Sequence, residues 1–287
     1  MMNAMQLGTA FHKIRGDKDF TLTRAGNREA SVNLLSQFER GESGISFRKL
    51  NCALNNLNVG VEEYLAQPEI ENGNWIERWC YELDAYQRGE IKTPPDGQNA
   101  PERWRNVTRL IGRLAAVTPA KRRKLLTKQE VQVLTRVITL SKHYGEFVNI
   151  VIFYAAHLLP NTIRRVATQR LASANEWTVL TYMRPATTTG ALWALAEAEI
   201  YMKNCQKAEI IMHNLAERIM STDVYERVAL RVLESELYLA RGDVEAAKGV
   251  RDGVLATLKV LGDGWELNRF EQHYQVVWSE LGGELNE

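Results

Sequence analysis

The chain has 287 residues, 45% of them hydrophobic and 25% charged, and a net charge of +1. That length sustains one large or two smaller domains with sizeable cores, and the composition is ordinary for a globular protein in water. No apolar run approaches the ~20 residues of a membrane span. The opening Met1-Met2-Asn3-Ala4-Met5-Gln6 lacks the basic end and apolar stretch of a signal peptide, and the three cysteines, Cys52, Cys80 and Cys205, are scattered. Reduced thiols, a cytoplasmic location and no membrane association are therefore expected.

In chain order, a first helix is expected over about Gln6–Arg15, then a short segment Thr21–Ala30, then the block Ser31–Ser46. The last two have the layout of a helix-turn-helix, in which a second helix lies in the DNA major groove. Ala25 is small where the two helices cross, Ala30 plugs the turn, and Leu35 and Phe38 at i,i+3 point inward. Ser31 is a good N-cap and Gly41 a C-terminal stop. The outward face then carries Val32, Asn33, Ser36 and Gln37. Asn33 and Gln37 are the expected base readers, since an amide can pair bidentately with adenine, and Val32 can touch a thymine methyl. Thr21, Thr23, Arg24, Ser31 and Arg40 complete the expected contact to double-stranded operator DNA, Thr21, Thr23, Arg24 and Arg40 as a phosphate clamp at the helix ends. An amphipathic helix with Leu50, Leu54 and Leu57 and a short closing helix near Val61–Leu65 end a head domain of residues 1–66.

This head is almost neutral: Lys13, Arg15, Lys18, Arg24, Arg28, Arg40, Arg48 and Lys49 stand against Asp17, Asp19, Glu29, Glu39, Glu42, Glu62 and Glu63. Weak non-specific affinity follows, because such affinity rests on phosphate neutralisation. Arg15 and Glu39, late in the first and in the recognition helix, are expected to form a structural ion pair.

The strings Leu7-Gly8, Phe11, Ile14-Arg15, Thr21-Leu22-Thr23 and Leu35-Ser36-Gln37-Phe38-Glu39-Arg40-Gly41-Glu42-Ser43 resemble the N-terminal domain of the Rgg/GadR/MutR family, peptide-pheromone-sensing transcriptional regulators of Gram-positive bacteria with an XRE-type helix-turn-helix. Weaker likeness continues at Tyr144-Gly145, Leu258–Gly262 and Glu271–Tyr274. The resemblance implies a five-helix DNA-binding head, an all-helical peptide-binding body and a homodimer. Three positions depart from the family pattern: Glu29 where the turn often has Gly, Leu34 where members often have a polar residue, and Phe47 where some have a cysteine.

Residues 67–73, with Pro68 and Gly73, read as a linker, and residues 74–287 as a helical-repeat ligand-binding and dimerisation domain. The class is all-α, the body a tetratricopeptide-like solenoid. Helix starts are marked by Thr118-Pro119, by Pro101, Pro160 and Pro185, and by capping boxes at Thr127–Glu130 and Asp223–Glu226. Pro94-Pro95-Asp96-Gly97 is a break. The β-branched run Phe147–Phe153 is expected as a buried helix, and Leu192, Leu195, Ala196, Glu199 and Ile200 as one side of an amphipathic one. The stretch Leu233–Ala247, with Gly242 at its corner, has the helix–turn–helix form of a repeat unit. Stacked pairs of this kind curve around a concave binding face.

For a short signalling peptide, the expected lining of that face is Tyr154, His157, Asn161, Tyr182, Arg184, Trp193, Glu197 and Tyr201, a mixture of aromatic and polar groups from central helices. The resemblance places peptide contacts in this region, with an Arg of relatives aligned to His157. Leu261, Trp265, Phe270, Tyr274, Val277 and Trp278 are expected at a dimer interface, Trp75 and Trp79 on a face that docks against the head or the partner subunit, and Lys121-Arg122-Arg123-Lys124 with Lys128 on a solvated helix face or a second DNA contact. The five histidines show no His-Glu-x-x-His spacing, and no phosphate-binding glycine loop or nucleophile elbow is present. No metal, cofactor or enzymatic activity is expected. The function read from the sequence is a peptide-controlled transcription regulator. The alternatives are a constitutive regulator whose body only dimerises, or a helical scaffold without DNA binding.

Overall fold

Helix, and no strand, is the regular structure of the residues described in this computed structural model, which are 4–65, 67, 69–70, 75–122, 124–173, 188–219, 223–262 and 264–281. The chain forms two units, Met1–Arg78 and Trp79–Glu287.

The first unit contains α1 (Ala4–Asp17), α2 (Leu22–Gly26), α3 (Val32–Glu39), α4 (Phe47–Asn56) and α5 (Val61–Leu65). The short α2 and α3 exist because their ends are capped. Thr21 Oγ1 accepts from the Arg24 N–H (3.3 Å) and Ser31 Oγ from the Leu34 N–H (3.2 Å), satisfying donors that a helix start leaves open. Phe11, Ile14, Ala25, Leu35, Phe38, Leu54, Leu57, Tyr64 and Ile70 form one buried cluster, in which the Phe11 and Phe38 rings lie 5.9 Å apart. Two side-chain bonds lock the outer helices to it: Tyr64 Oη donates to the Leu7 carbonyl (2.7 Å) and Asn56 Nδ2 to the Ala25 carbonyl (2.8 Å).

α6 (Trp75–Gln87) leads into the second unit, which holds α7 (Glu102–Ala115), α8 (Pro119–Arg122), α9 (Lys128–Leu140), α10 (Glu146–Ala155), a 3-10 turn (Ala156–Leu158), α11 (Asn161–Ala172), α12 (Thr188–Tyr201), α13 (Cys205–Ala216), α14 (Val224–Ala240), α15 (Val244–Leu261) and α16 (Gly264–Leu281). α9 opens with a complete capping box between Thr127 and Glu130. At α14 the Asp223 side chain makes no cap bond. The α14–α15 corner turns on Gly242 at φ +83°, and the Asp243 carboxylate accepts from the Ala246 N–H (3.1 Å).

The run Phe147–Phe153 lies in α10 and is buried except for a half-buried Phe153. α12 is not amphipathic: from Ala191 to Tyr201 every residue is buried except a half-buried Trp193. A helix apolar on all sides belongs at a centre, and α12 packs on α10, α11, α13 and α14. Three other expectations change for the same reason, that the chain itself uses the surface. Phe270, Tyr274, Val277 and Trp278 are buried in a cluster with Val228, Val232, Leu239, Val254 and Leu258, so they stabilise the body rather than face a partner. Trp79 is buried, its ring 6.1 Å from that of Phe147. Arg122 points inward, donating from Nε to the Leu114 carbonyl (2.9 Å) and lying over the Tyr154 ring.

Gly8 sets how closely α1 and α3 approach, since a Cβ there would stand 1.9 Å from the Phe38 carbonyl oxygen. Gly8→Ala should therefore cost about 1–3 kcal/mol by overpacking, read as a lower denaturation midpoint. Gly16→Ala, in the same helix with nothing within 4 Å of its Cβ, should be neutral or slightly stabilising. Equal midpoints for the two variants would contradict the close α1–α3 approach.

Candidate functional site

In the first unit, Thr21, Thr23, Arg24, Ser31, Val32, Asn33 and Arg40 are all exposed, and Gln37 is half-buried on α3. Val32, an apolar residue, is 45% exposed at the start of α3. The turn before α3 takes its left-handed residues at Asn27 (φ +37°) and Arg28 (φ +70°), not at Glu29, so the missing glycine costs nothing at that position. Leu34 packs against the core cluster from the edge. Arg24 lies over the Phe20 ring, 4.4 Å from its centroid. Arg40 is held by Glu42 through two hydrogen bonds, of 2.6 and 2.8 Å.

Arg15 and Glu39 meet: Arg15 Nε donates to Glu39 Oε1 (2.5 Å) and Nη2 to Oε2 (2.9 Å), while Nη1 donates to the Phe20 carbonyl (2.7 Å). Both side chains are largely buried, 14% and 7% exposed. Burial pushes the Glu39 carboxyl up, but hydrogen bonds from Arg15 and His12 outweigh it and hold the group below its ordinary value.

The second unit contains a groove of about 220 Å³ whose lining includes Phe153 of α10, Trp193 of α12, Tyr225 and Glu226 of α14, and Trp265, Arg269 and His273 of α16. That volume is below the ~300 Å³ of a small-molecule pocket, and it suits anchoring side chains of a longer ligand. Trp193 is its pivot. The indole Nε1 donates to the Ala229 carbonyl (3.1 Å), and the ring stacks on Phe153 at 6.4 Å and lies 6.2 Å from the His273 ring.

Behind Trp193 lies a buried polar cluster. His157 Nε2 donates to Glu197 Oε2 (2.7 Å), and His273 Nε2 to Glu236 Oε1 (2.6 Å). Glu197 Oε1 is 4.0 Å from His273 Nε2. Burial pushes the Glu236 carboxyl up to about 7, with His273 pulling it back and the Glu197 charge pushing it further. Burial also pushes Glu197 up, but the charge and hydrogen bond of His157 bring it below the usual carboxylate range. His273 and Glu236 thus form a buried, hydrogen-bonded pair that ties α16 to α14. A second pair lies two residues further along α12, where Arg164 Nε donates to Glu199 Oε1 (2.7 Å).

Of the eight residues expected around a peptide, Trp193 lines the groove. Tyr154, His157, Glu197 and Tyr201 are buried, and Asn161 is exposed, its Oδ1 accepting from Lys207 Nζ (3.1 Å). Tyr182 and Arg184 lie outside the described residues. The α16 wall was missed, although Trp265, Arg269 and His273 recur every fourth residue and so share one helix face. That spacing was the available signal.

No protein-family model and no curated protein sequence matches the chain. Solved structures do. The chain superposes on the SHP pheromone receptor Rgg2 of Streptococcus dysgalactiae with a TM-score of 0.71 at 17% identity, covering 94% of this chain and 99% of that one. For the PrgX/iCF10 complex the values are 0.61, 11%, 98% and 98%. For ComR from S. thermophilus in complex with DNA and its signalling peptide ComS they are 0.59, 14%, 94% and 99%. At such identities the likeness is one of fold. The chain has the all-helical fold of the Rgg-type pheromone receptors, the group whose motifs its N-terminal sequence resembles. No helix among the described residues is long and apolar enough to cross a membrane.

A depressed carboxylate contributes stability that is present above its unfolded value (about 4.3 for glutamate) and lost as pH falls through the lower folded value. Glu39→Gln should therefore lower stability at neutral pH by about 1.5–3 kcal/mol, the range for a hydrogen bond to a charged group. Melting curves of the two proteins should converge in acid. A gap that stays constant from neutral to strongly acid pH would show that the Glu39 charge contributes nothing.

Proposed function

We propose that the chain is a sequence-specific DNA-binding transcription regulator and not an enzyme, controlled by a short signalling peptide bound in its helical body and acting as a homodimer on double-stranded operator DNA. In this reading residues 1–66 are a helix-turn-helix head, 67–73 a linker, and 74–287 a degenerate tetratricopeptide-like solenoid that binds the ligand and dimerises. The observation that carries it is α3 itself, a capped helix whose buried side, Leu35 and Phe38, anchors it while Val32, Asn33 and Gln37 are left on the other. Burying apolar side chains and leaving amides outside is what major-groove reading demands. The fold shared with a receptor solved with DNA and signalling peptide supports the same reading. For the ligand, the support is the groove around Trp193, with aromatic walls and a few polar groups, the composition of a binding site. Tyr154, His157, Glu197 and Tyr201 then act behind the groove, as the layer that orients Trp193 and the α16 wall.

A mobility-shift assay with the upstream region of the gene tests the DNA reading. Gln37→Ala should cost about 1–3 kcal/mol at the specific site and relax preference at one base pair, whereas Arg40→Ala should weaken all duplexes and flatten the salt dependence by about one unit of slope. Glu42→Ala, which releases Arg40 from its partner, should strengthen binding to random duplexes. Identical behaviour of the Gln37 and Arg40 variants on both kinds of duplex would refute these roles, and no shift with any duplex would leave a scaffold.

Peptides encoded by short reading frames beside the gene test the ligand. One that alters the shift of the wild type should need roughly 30-fold more peptide with Trp193→Ala, the effect of truncating a central aromatic anchor, with unliganded DNA affinity unchanged. A Trp193→Ala protein with full response would place the ligand elsewhere, and no response to any such peptide would favour a constitutive regulator.

A further inference from the structure

The two buried carboxylates behind the groove are under-satisfied. Glu197 is 1% and Glu236 0% exposed, yet Glu197 Oε1 and Glu236 Oε2 have no hydrogen-bond partner. Leaving a carboxylate oxygen dry and unpaired costs free energy that folded chains rarely accept. Arg122, the nearby guanidinium, does not answer this need: it bonds to the Leu114 carbonyl, lies over Tyr154, and makes no hydrogen bond to either glutamate. Glu197, Glu236 and His273 each offer a ligand atom, and these atoms lie within 4.8 Å of one another. They come from three different helices, α12, α14 and α16.

We propose that Glu197, Glu236 and His273 bind a divalent first-row transition-metal ion, of the zinc class, at the base of the groove. Around such an ion, ligand atoms at bonds of 2.0–2.2 Å stand roughly 3.4 Å apart in a tetrahedron. Glu236 and His273 must therefore separate from their present 2.6 Å contact, while Glu197 closes from 4.0 Å. These are movements of about 1 Å or less, within side-chain reach. Imidazole with carboxylates, rather than an all-oxygen set, selects transition metals over magnesium and calcium. His157, bonded to the other oxygen of Glu197, orients that ligand from outside the coordination sphere. The ligands bind as carboxylates and neutral imidazole, so any proton they carry leaves to solvent as the ion enters, and no covalent bond is made or broken. Three protein ligands leave a fourth position for water or for a donor arriving through the groove, which His273 lines. The site stands whether or not the groove takes a peptide.

The test uses the full chain, freed of metal by chelator and titrated with Co²⁺. Expected are the visible bands of a low-coordinate cobalt site saturating at one equivalent, bleached by Zn²⁺. Glu236→Gln and Glu197→Gln should each weaken binding at least about tenfold, while His213→Ala, which removes the exposed His213–Glu217 pair at the end of α13, should leave it unchanged. X-ray absorption at the zinc edge of the wild type gives a readout independent of variant folding, with a nitrogen and oxygen shell including one imidazole expected. Absence of the bands, retention of them in both glutamine variants, or sulfur in the zinc shell would overturn the proposal.

Discussion

Burying α12 on all sides makes it the axis of the body, and it is also the helix that carries Glu197 and Glu199. Taking a carboxylate out of water costs several kcal/mol unless a partner is supplied. Each glutamate therefore dictates a neighbour: His157 from the turn after α10, and Arg164 from α11. Arg164 is tied in turn to the Leu159 carbonyl, and Asn204 Nδ2 takes the second oxygen of Glu199. The Glu199 site is thus closed and satisfied, a joint between α11, α12 and the corner leading to α13. The Glu197 site is open-ended, with two unpaired oxygens and a histidine from α16. Two carboxylates two residues apart on one helix consequently do different things, and only the second leads toward the groove.

What could be read in the sequence divides along the same line. The head is local: caps at Thr21 and Ser31, the Leu35–Phe38 pair and the Arg15–Glu39 bond all lie within about one helix-turn-helix of sequence, so spacing alone brings them together. The groove is not local. Its walls come from residues 153, 193, 225 and 273, and no periodicity within one helix says which faces will meet across such separations. Composition misled in one direction: a polar residue among apolar ones in α10 and α12 reads as a groove face, whereas Glu197 and Glu199 are buried and bonded to residues distant in the chain. The C-terminal aromatics misled in the other, since a helix stripe that packs on its own chain and one that packs on a second copy have the same pattern.

The neutrality of the head has a structural counterpart. Lys13, Arg15, Arg40 and Arg48 each have a carboxylate partner within the unit, Glu69, Glu39, Glu42 and Glu29 respectively. A surface pair such as Arg40–Glu42 is worth little by itself, but it sets a threshold: phosphate must displace a carboxylate to reach the guanidinium. On the proposed reading, non-specific DNA is then held weakly and discrimination falls on α3, where short side chains and backbone geometry matter more than net charge. The fixed angle between α1 and α3, maintained by the close approach at Gly8 and by the largely buried Arg15–Glu39 bond, becomes the quantity that specificity depends on.

Within the body, Trp193 joins the surface to the buried charge. Its indole is bonded to α14, its ring rests on Phe153 of α10, and its edge adjoins His273 of α16. A ligand can shift an equilibrium only by binding two arrangements unequally, so the useful question is which part of the groove has two arrangements available. The aromatic walls do not suggest one, because they are held by packing. The cluster beneath them offers one imidazole two carboxylates. His273 Nε2 and Glu236 Oε1 make the α14–α16 contact a short hydrogen bond. Glu197 Oε1 of α12 stands 4.0 Å from the same nitrogen. The same imidazole is thus bonded to α14 and adjoins α12, and its ring lies 6.2 Å from that of Trp193. A ligand seated on Trp193 would therefore meet the one imidazole that joins α14 to α12, in a part of the chain where burial makes each hydrogen bond costly to lose.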